Sequence, residues 1–473
     1  MSTNPSNKSI ELVKATLSDV NGKEYDITKI CVGFFYYEDI FSPFVTAVIN
    51  VIDSGMNLIG TLPIQGGEKV TVKIKDARNE TYDYELYVFK IYNRQFTNKT
   101  QKYNLALISK EGLYNEGVRI TEKLSGLPDQ VVKDIMTKYL ATKKKVETET
   151  AKYKINFYPN NKKAHAIIQS IQHKAVPKKS TPSKTKAKES KRESAKSSLP
   201  TDTQTASGTA GYLFFENKDG FVFKSMDMLC SDGTDGFGGS APVETYEYKP
   251  IINEVNKNNL NVISEYHFTD ELDMIDQMRN GIYSTYMVFY NNSTGAYEEY
   301  TYKLSDTYKA MSHLGSQTKL PQFQEDLGQY PTRVMSMILD HETWFDKPDE
   351  PGSPEERDRE TSSSTGGSSF PDHQKYFVAQ GIARRYLMEN QKMEIVIPGN
   401  CKLKVGDKIK VLIPNVSAET LRKTQKYDEE NSGTYLISQL SHNNMFLNTF
   451  ECTTKLVLIR DSYGIKEYSS NVK

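Results

Sequence analysis

Cys401, His442 and Cys452 are residue types that bind metal ions or supply nucleophiles, and they fall close together near the C-terminal end. A zinc site needs a fourth ligand and tighter spacing, and neither cysteine belongs to a Cys-x-x-Cys pair. All three are expected as buried structural residues. Asp232-Gly-Thr-Asp-Gly236 offers carboxylates to calcium but lacks acids at alternating positions and a distal Glu, which predicts a Gly-rich loop. Gly233 to Gly239 does not open a helix, as a dinucleotide fingerprint must, because Ser240-Ala-Pro242 and a Tyr-rich extended stretch follow. Gly60 to Lys69 lacks the Gly-Lys-Ser/Thr ending of a phosphate loop. No Gly-x-Ser-x-Gly or His-Glu-x-x-His motif occurs, and nothing selects a glycosidase pair from 60 acids. The sequence therefore predicts no enzyme, no catalytic residue, no metal and no cofactor.

The positive charges give no stronger lead. Lys178 to Lys196 could touch phosphate but contains no aromatic residue on which a base could stack. A solvated insertion is the expectation. Lys+Arg and Asp+Glu both number 60, so the basic excess of a free nucleic-acid binder is missing. Hydrophobic content is 37% and mean hydropathy −0.60, lower than in a compact enzyme. The 30 Tyr and 20 Phe against one Trp suit strands and half-wet interfaces. Four scattered cysteines, Cys31, Cys230, Cys401 and Cys452, fit a reducing compartment. Met1-Ser-Thr-Asn-Pro5 does not read as a signal peptide, and no apolar run approaches the roughly 20 residues of a membrane span. The expectation is a chain made in cytoplasm without a membrane anchor.

These groups must be held by strands. Glu68 to Lys75 alternates strictly, with Val70, Val72 and Ile74 on one face. Lys102 to Ser109 alternates too, Tyr82 to Ile91 is dense in aromatic and aliphatic residues, and Phe44 to Ile52 is apolar on both faces. Residues 1–112 thus read as a first β-barrel. Residues 113–173 read as helical or mixed: Asp129 to Leu140 and Lys162 to His173 carry apolar residues at helical spacing, with Pro128 in a first turn and Asn161 as a cap. The Lys-, Ser- and Pro-rich tract 174–210 and the acidic, then Ser/Gly-rich tract 346–372 have too little apolar surface to order. Residues 211–345 read as mixed β, feeding hairpins to the central and second barrel regions. They include a hairpin at Tyr212 to Phe223 turning at Asp219-Gly220, and another at Tyr283 to Leu304. Residues 373–392 read as a helix, and 393–473 as a second β-barrel with a C-terminal tail. The fold class is mainly β (α+β): two homologous antiparallel barrels around a mixed α/β centre.

The homology rests on a self-match. Gly67-Glu-Lys-Val-Thr-Val-Lys-Ile74 parallels Gly406-Asp-Lys-Ile-Lys-Val-Leu-Ile413, and Tyr103-Asn-Leu-Ala-Leu-Ile108 parallels Thr454-Lys-Leu-Val-Leu-Ile459. The second copy is longer between these anchors by a polar stretch, Val416 to Ser432, that reads as an inserted loop. Val70, Val72, Ile74, Ile409, Val411 and Ile413 are expected in barrel cores. Gly67, Gly220, Gly399, Gly406 and Asp407 are expected to shape turns. A duplicated chain that trimerises presents six similar units, turning three-fold into pseudo-six-fold symmetry.

Several segments then look familiar. Ser42-Pro-Phe-Val-Thr-Ala-Val-Ile-Asn-Val-Ile-Asp53, Gly211-Tyr-Leu-Phe-Phe-Glu-Asn-Lys-Asp-Gly-Phe221 and Asn280-Gly-Ile-Tyr283 resemble the baseplate hub family of large contractile-tailed phages. So does Ile397-Pro-Gly-Asn400 leading to Gly406-Asp407 and Ser432-Gly-Thr-Tyr-Leu-Ile437. The resemblance implies a virion protein of the tail baseplate, made in the host cytoplasm. It implies a homotrimeric ring between the six-fold tail tube and a trimeric central spike, the cell-puncturing device, with or without a lytic domain. The tape-measure protein and other baseplate subunits are implied partners, and DNA passes without sequence-specific binding. The spike hubs of type VI secretion share this architecture. The competing reading is a carbohydrate-binding tail or surface adhesion module, since Tyr-rich barrels can stack sugars.

Overall fold

Alternation decides the architecture, and the chain is mainly β. In the computed structural model the described residues are 10–19, 21–55, 57–62, 64–97, 99–152, 154–173, 175–178, 210–249, 260–270, 273–291, 297–316, 331–339, 373–415, 426–447 and 450–465. The first set of strands is β1 (Glu11–Ser18), β2 (Glu24–Asp26), β3 (Cys31–Asp39), β4 (Thr46–Asp53), β5 (Lys69–Lys75), β6 (Thr81–Thr97) and β7 (Thr100–Ile108). A middle region holds β8 (Leu124–Gly126), β9 (Lys145–Thr148), β10 (Ile155–Phe157), β11 (Tyr212–Asn217) and β12 (Gly220–Ser225). The second set opens with β13 (Glu244–Tyr248), β14 (Val262–Ile263) and β15 (Glu265–Asp270). It is interrupted by β16 (Ser284–Asn291), β17 (Tyr297–Lys303) and β18 (Arg333–Leu339). It resumes as β19 (Gln391–Pro398), β20 (Lys408–Leu412), β21 (Gly433–Met445) and β22 (Glu451–Arg460).

The two sets share one strand order. In space the first runs β2-β1-β5-β6-β7-β4-β3 and the second β14-β13-β20-β21-β22-β19-β15. Numbered by turn in the chain, both read second, first, fifth, sixth, seventh, fourth, third. Among the described residues neither set closes on itself by hydrogen bonds. Instead β21 pairs with β3 and merges both into one 14-stranded sheet. The expectation of purely antiparallel sheets needs correction at β13, which runs parallel to β20 and β14, whereas β1 is antiparallel to β5 and β2. Connection length permits the parallel pairing with β14. Asp19 to Lys23 turns tightly from β1 to β2, while 249–261 separate β13 from β14, long enough for a crossover. One apolar core runs through both sets, from Phe34, Ile49 and Leu105 to Ile395, Ile409 and Leu458. On β4, Ala47, Ile49 and Val51 are buried, while Val48, Asn50 and Ile52 opposite are only half covered.

The middle region has its own core, where Val132, Ile135, Ile168 and Ile171 pack on Phe214 and Phe221. Two helices supply that core: Pro128–Asp134, continuing as a π-helical turn through Tyr139, and Ala164–Gln172. Pro128 stands in the first turn, where its missing N–H is no loss. Asn161 is not the cap of the second helix. It is a left-handed residue, φ 58°, before Lys163, and the Asn115 side chain accepts the His165 N–H at 2.9 Å instead. Strands β16, β17 and β18 form a separate sheet under the helix His373–Met388. Most of the tract 174–210, and all of 346–372, lie outside the described residues. The edges of the first tract belong to the fold, contrary to expectation. Ala175, Val176 and Ala210 are buried, and Lys178 N–H donates to Thr150 O. The apolar Ala175-Val-Pro177 triplet supplies what the lysine run lacks.

Candidate functional site

Buried polar groups gather at the junction of the two sets. Strand β3 reads Phe34, Tyr36, Glu38 on its inward face, so alternation carries a carboxylate into the core. Glu38 is 3% exposed and accepts three bonds: Tyr36 O–H at 2.9 Å, Lys218 N–H at 2.6 Å and Val405 N–H at 2.8 Å. One side chain thus ties β3 to the β11–β12 turn and to the segment before β20. Burial raises its carboxyl to about 7, with the three donors pulling the other way. His442, on β21 opposite Tyr36, stacks on that ring at 6.1 Å and 12°. Its Nδ1 lies 2.9 Å from Thr454 Oγ1, and burial lowers it to about 3, so it is neutral.

Backbone pairing carries the junction. From Gln439↔Asp39 to Met445↔Gly33, β21 runs antiparallel to β3, flanked by Ile40 N–H to Ser438 O and Phe446 N–H to Val32 O. Arg78, in the β5–β6 turn, forks onto Glu244 of β13 at 2.8 and 3.3 Å. Two further networks fix the neighbours. Lys144 bridges Glu111 and Glu216 at 3.0 and 2.5 Å, and Glu216 also accepts Val45 N–H. Arg384, fully buried, meets Asp461 at 2.7 Å. Burial alone would raise Asp461, but His313 and Arg384 hold it well below the usual carboxylate range.

The sequence-singled residues fall as follows. Val70, Val72, Ile74, Ile409, Val411 and Ile413 are all buried, the first three on β5, Ile409 and Val411 on β20, and Ile413 just after β20. Gly67 and Gly406 have φ +92° and +85°, and they do the same job. Gly67 N–H donates to Val88 O and Gly406 N–H to Ile437 O, while Val88 and Ile437 N–H return to Glu68 O and Asp407 O. Asp407 has its carboxyl raised by burial. Gly220, φ +133°, opens β12 after the two-residue Lys218-Asp219 loop, where a Cβ would lie 2.3 Å from Lys145 O. Gly399 donates to Cys452 O at 3.0 Å. Cys401 and Cys452 are buried side by side, and Cys401 together with burial pushes the Cys452 thiol up, away from nucleophilic chemistry. Among the described residues no group of three or more His, Cys, Asp or Glu is arranged around a metal-sized site.

A cleft of about 330 Å³ lies beside Gly406 and Asp407. Its lysines are all engaged: Lys224 with Glu147, Lys404 with Asp219, and Lys408 with Leu229 O and Ser231 O. It has no unengaged ammonium for an anion. Sequence reasoning missed Glu38, Glu216, Arg384 and Asp461. For Glu38 a signal existed, since it continues the inward phase Phe34, Tyr36, Glu38 of its strand, whereas β11 is buried on both faces and its alternation marks no inward side.

The register of the two sets is what decides their relation. On β6 and β7, Tyr87↔Ile108 and Val88↔Leu107 precede a bulge, and Lys90↔Ala106 follows. On β21 and β22, Leu436↔Ile459 and Ile437↔Leu458 precede a bulge, and Gln439↔Val457 follows. Lys69↔Tyr87 and Lys408↔Leu436 then align β5 with β20 in the register of the sequence self-match.

The chain's structural neighbours are phage tail and baseplate proteins and type VI secretion proteins. A tail protein from Neisseria meningitidis MC58 is 10% identical, with TM-score 0.45 over 95% of this chain and 96% of that one. The 43 kDa tail protein of prophage MuSo2 from Shewanella oneidensis is 8% identical, with TM-score 0.47 over 95% and 99%. An E. coli component of the type VI secretion system, c3393, described as structurally similar to T4 tail proteins gp27 and gp5, is 8% identical, with TM-score 0.41 over 97% and 79%. No protein-family model and no curated protein matches the sequence.

Proposed function

We propose that this chain is a structural, non-enzymatic subunit of a phage tail baseplate, its two seven-strand ends being copies of one domain. Three chains form a ring of six similar units. That ring joins a six-fold tail tube to a three-fold central spike and leaves a channel for the genome and the tape-measure protein. The observation that carries this reading is the shared strand order, with its bulge at the same step of β6·β7 and β21·β22. A bulge is a specific insertion of one residue, and its recurrence at matched positions favours duplication over convergence. The buried networks support a load-transmitting scaffold. In them Glu38 is held by Tyr36 O–H and two backbone N–H groups, Lys144 bridges Glu111 and Glu216, and Arg384 meets Asp461.

Native mass determination tests the reading. At micromolar concentration the expected mass is three times the 53.8 kDa of the chain. A monomer that persists when spike and tube proteins are added contradicts it.

A further inference from the structure

Within the chain, one strand pairing joins the two sets: the open edge of the sixth strand of the second set (β21) pairs with the third strand of the first (β3). The equivalent strands of the opposite kind are the sixth strand of the first set (β6) and the third of the second (β15). Both have the matching edge unoccupied among the described residues. Strand β6 pairs with β5 only from Thr81 to Tyr87, yet it continues ten residues further along β7 to Thr97. That extension is solvent-exposed along most of its length, and Phe96 is 70% exposed. Strand β15 pairs with β19 on one side alone. Its Glu265 and His267 are exposed.

We infer that β6 of one copy of this chain pairs antiparallel with β15 of the next, repeating between molecules the β21·β3 contact made within one. This rests on the ring reading above and names the surface that closes it. The register follows from the two sets' own pairings. Met445↔Gly33, Asn444↔Phe34 and Asn443↔Phe35 within the chain translate into Thr97↔Glu265, Phe96↔Tyr266 and Gln95↔His267 between chains. The chemistry fits. The exposed Phe96 ring comes opposite Tyr266, an aromatic pair across the new ladder. An unpaired strand edge is a template for another strand, and a head-to-tail contact between two different edges builds a ring. The occupant is therefore a second copy of this chain rather than an unrelated peptide.

The test uses the full chain with Gln95→Cys and His267→Cys together, since the native cysteines are buried. Directly opposed antiparallel residues stand about 4.5–5.5 Å apart at Cα, inside the range a disulfide spans, whereas a pair displaced by two residues stands about 7–8 Å apart. Mild oxidation with a copper–phenanthroline complex is expected to give a denaturation-resistant ladder that stops at three chains. It should form at least tenfold faster than with Gln95→Cys and Glu265→Cys, and neither single variant should give a ladder. The mass of the unoxidised double variant is measured alongside. A trimer that does not crosslink, or crosslinks equally in both registers, overturns this inference and leaves the ring reading standing. A monomer overturns both.

Discussion

Strands β6 and β21 hold the same place in the same topology, carry the same bulge, and end in opposite environments. Past the bulge, β21 is buried against β3, with Leu440, His442 and Asn444 all facing inward. Past its own bulge, β6 presents Lys90, Arg94 and Phe96 to solvent. The backbone plan is common up to that bulge, beyond which β6 alone has a second irregularity between Tyr92 and Gln95, with Asn93 at φ 53°. Burial here is a property of the neighbour rather than of the strand. The same holds just beyond the seventh strand, at the two positions that the register aligns. In the second set that position is Asp461, locked to the buried Arg384, while in the first it is Lys110, lying over the Tyr114 ring.

That last contrast gives the largest expected effect. Asp461→Ala leaves Arg384 without its closest carboxylate and is expected to lower stability by about 3–5 kcal/mol, read by urea denaturation. Lys110→Ala, the matched change in the first set, is expected to stay within about 0.5 kcal/mol.

The junction supplies the second test, through pH. Glu38 ionises near 4.5 in the unfolded chain and near 7 in the fold, so between those values the fold holds a proton the unfolded chain has released. Its contribution is full below 4.5 and is lost as pH rises to 7. His442 has the opposite sign: the unfolded imidazole protonates near 6.5 and the folded one only near 3, so its contribution is lost on acidification. Between pH 6.5 and 4.5 the two offset each other. In Glu38→Gln only the His442 loss remains. The variant is expected to lose about 2–3 kcal/mol relative to wild type across that interval, at roughly 1.4 kcal/mol per pH unit. Parallel pH profiles for the two proteins would contradict this.

Arg78→Ala removes the half-buried fork onto Glu244 that joins the sets away from the strand pairing. It is expected to cost about 1–2 kcal/mol, between an exposed ion pair and a buried charged hydrogen bond. A double-mutant cycle with Glu244→Gln measures the coupling. Phe96→Ala is the smallest effect on the isolated chain, within about 0.5 kcal/mol, because its ring is already in water.

Local pattern made a good part of the fold legible. Strict alternation marked β5, β7 and β17, and the Gly-acid-Lys openings aligned β5 with β20 in the register that the pairings have. The place of β13, β14 and β15 was not legible, because β15 joins β19 across the whole β16–β18 sheet and the helix after it. The β21·β3 contact was equally hidden, since it links residues about 400 apart and no local pattern encodes a partner at that distance. Asn161 misled because asparagine suits both a cap and a left-handed turn, and here the turn won. At the junction the sequence offered Cys401, His442 and Cys452 as reactive types. The side chain that ties three segments together is Glu38, hidden among the aromatic residues of β3.

Averaged electron-microscope images of the purified full-length particle test the central claim most directly. The account expects a ring with a central hole, three-fold by symmetry, and six lobes of near-equal density around its rim. A ring with three lobes, or a particle with no rotational symmetry, would contradict it.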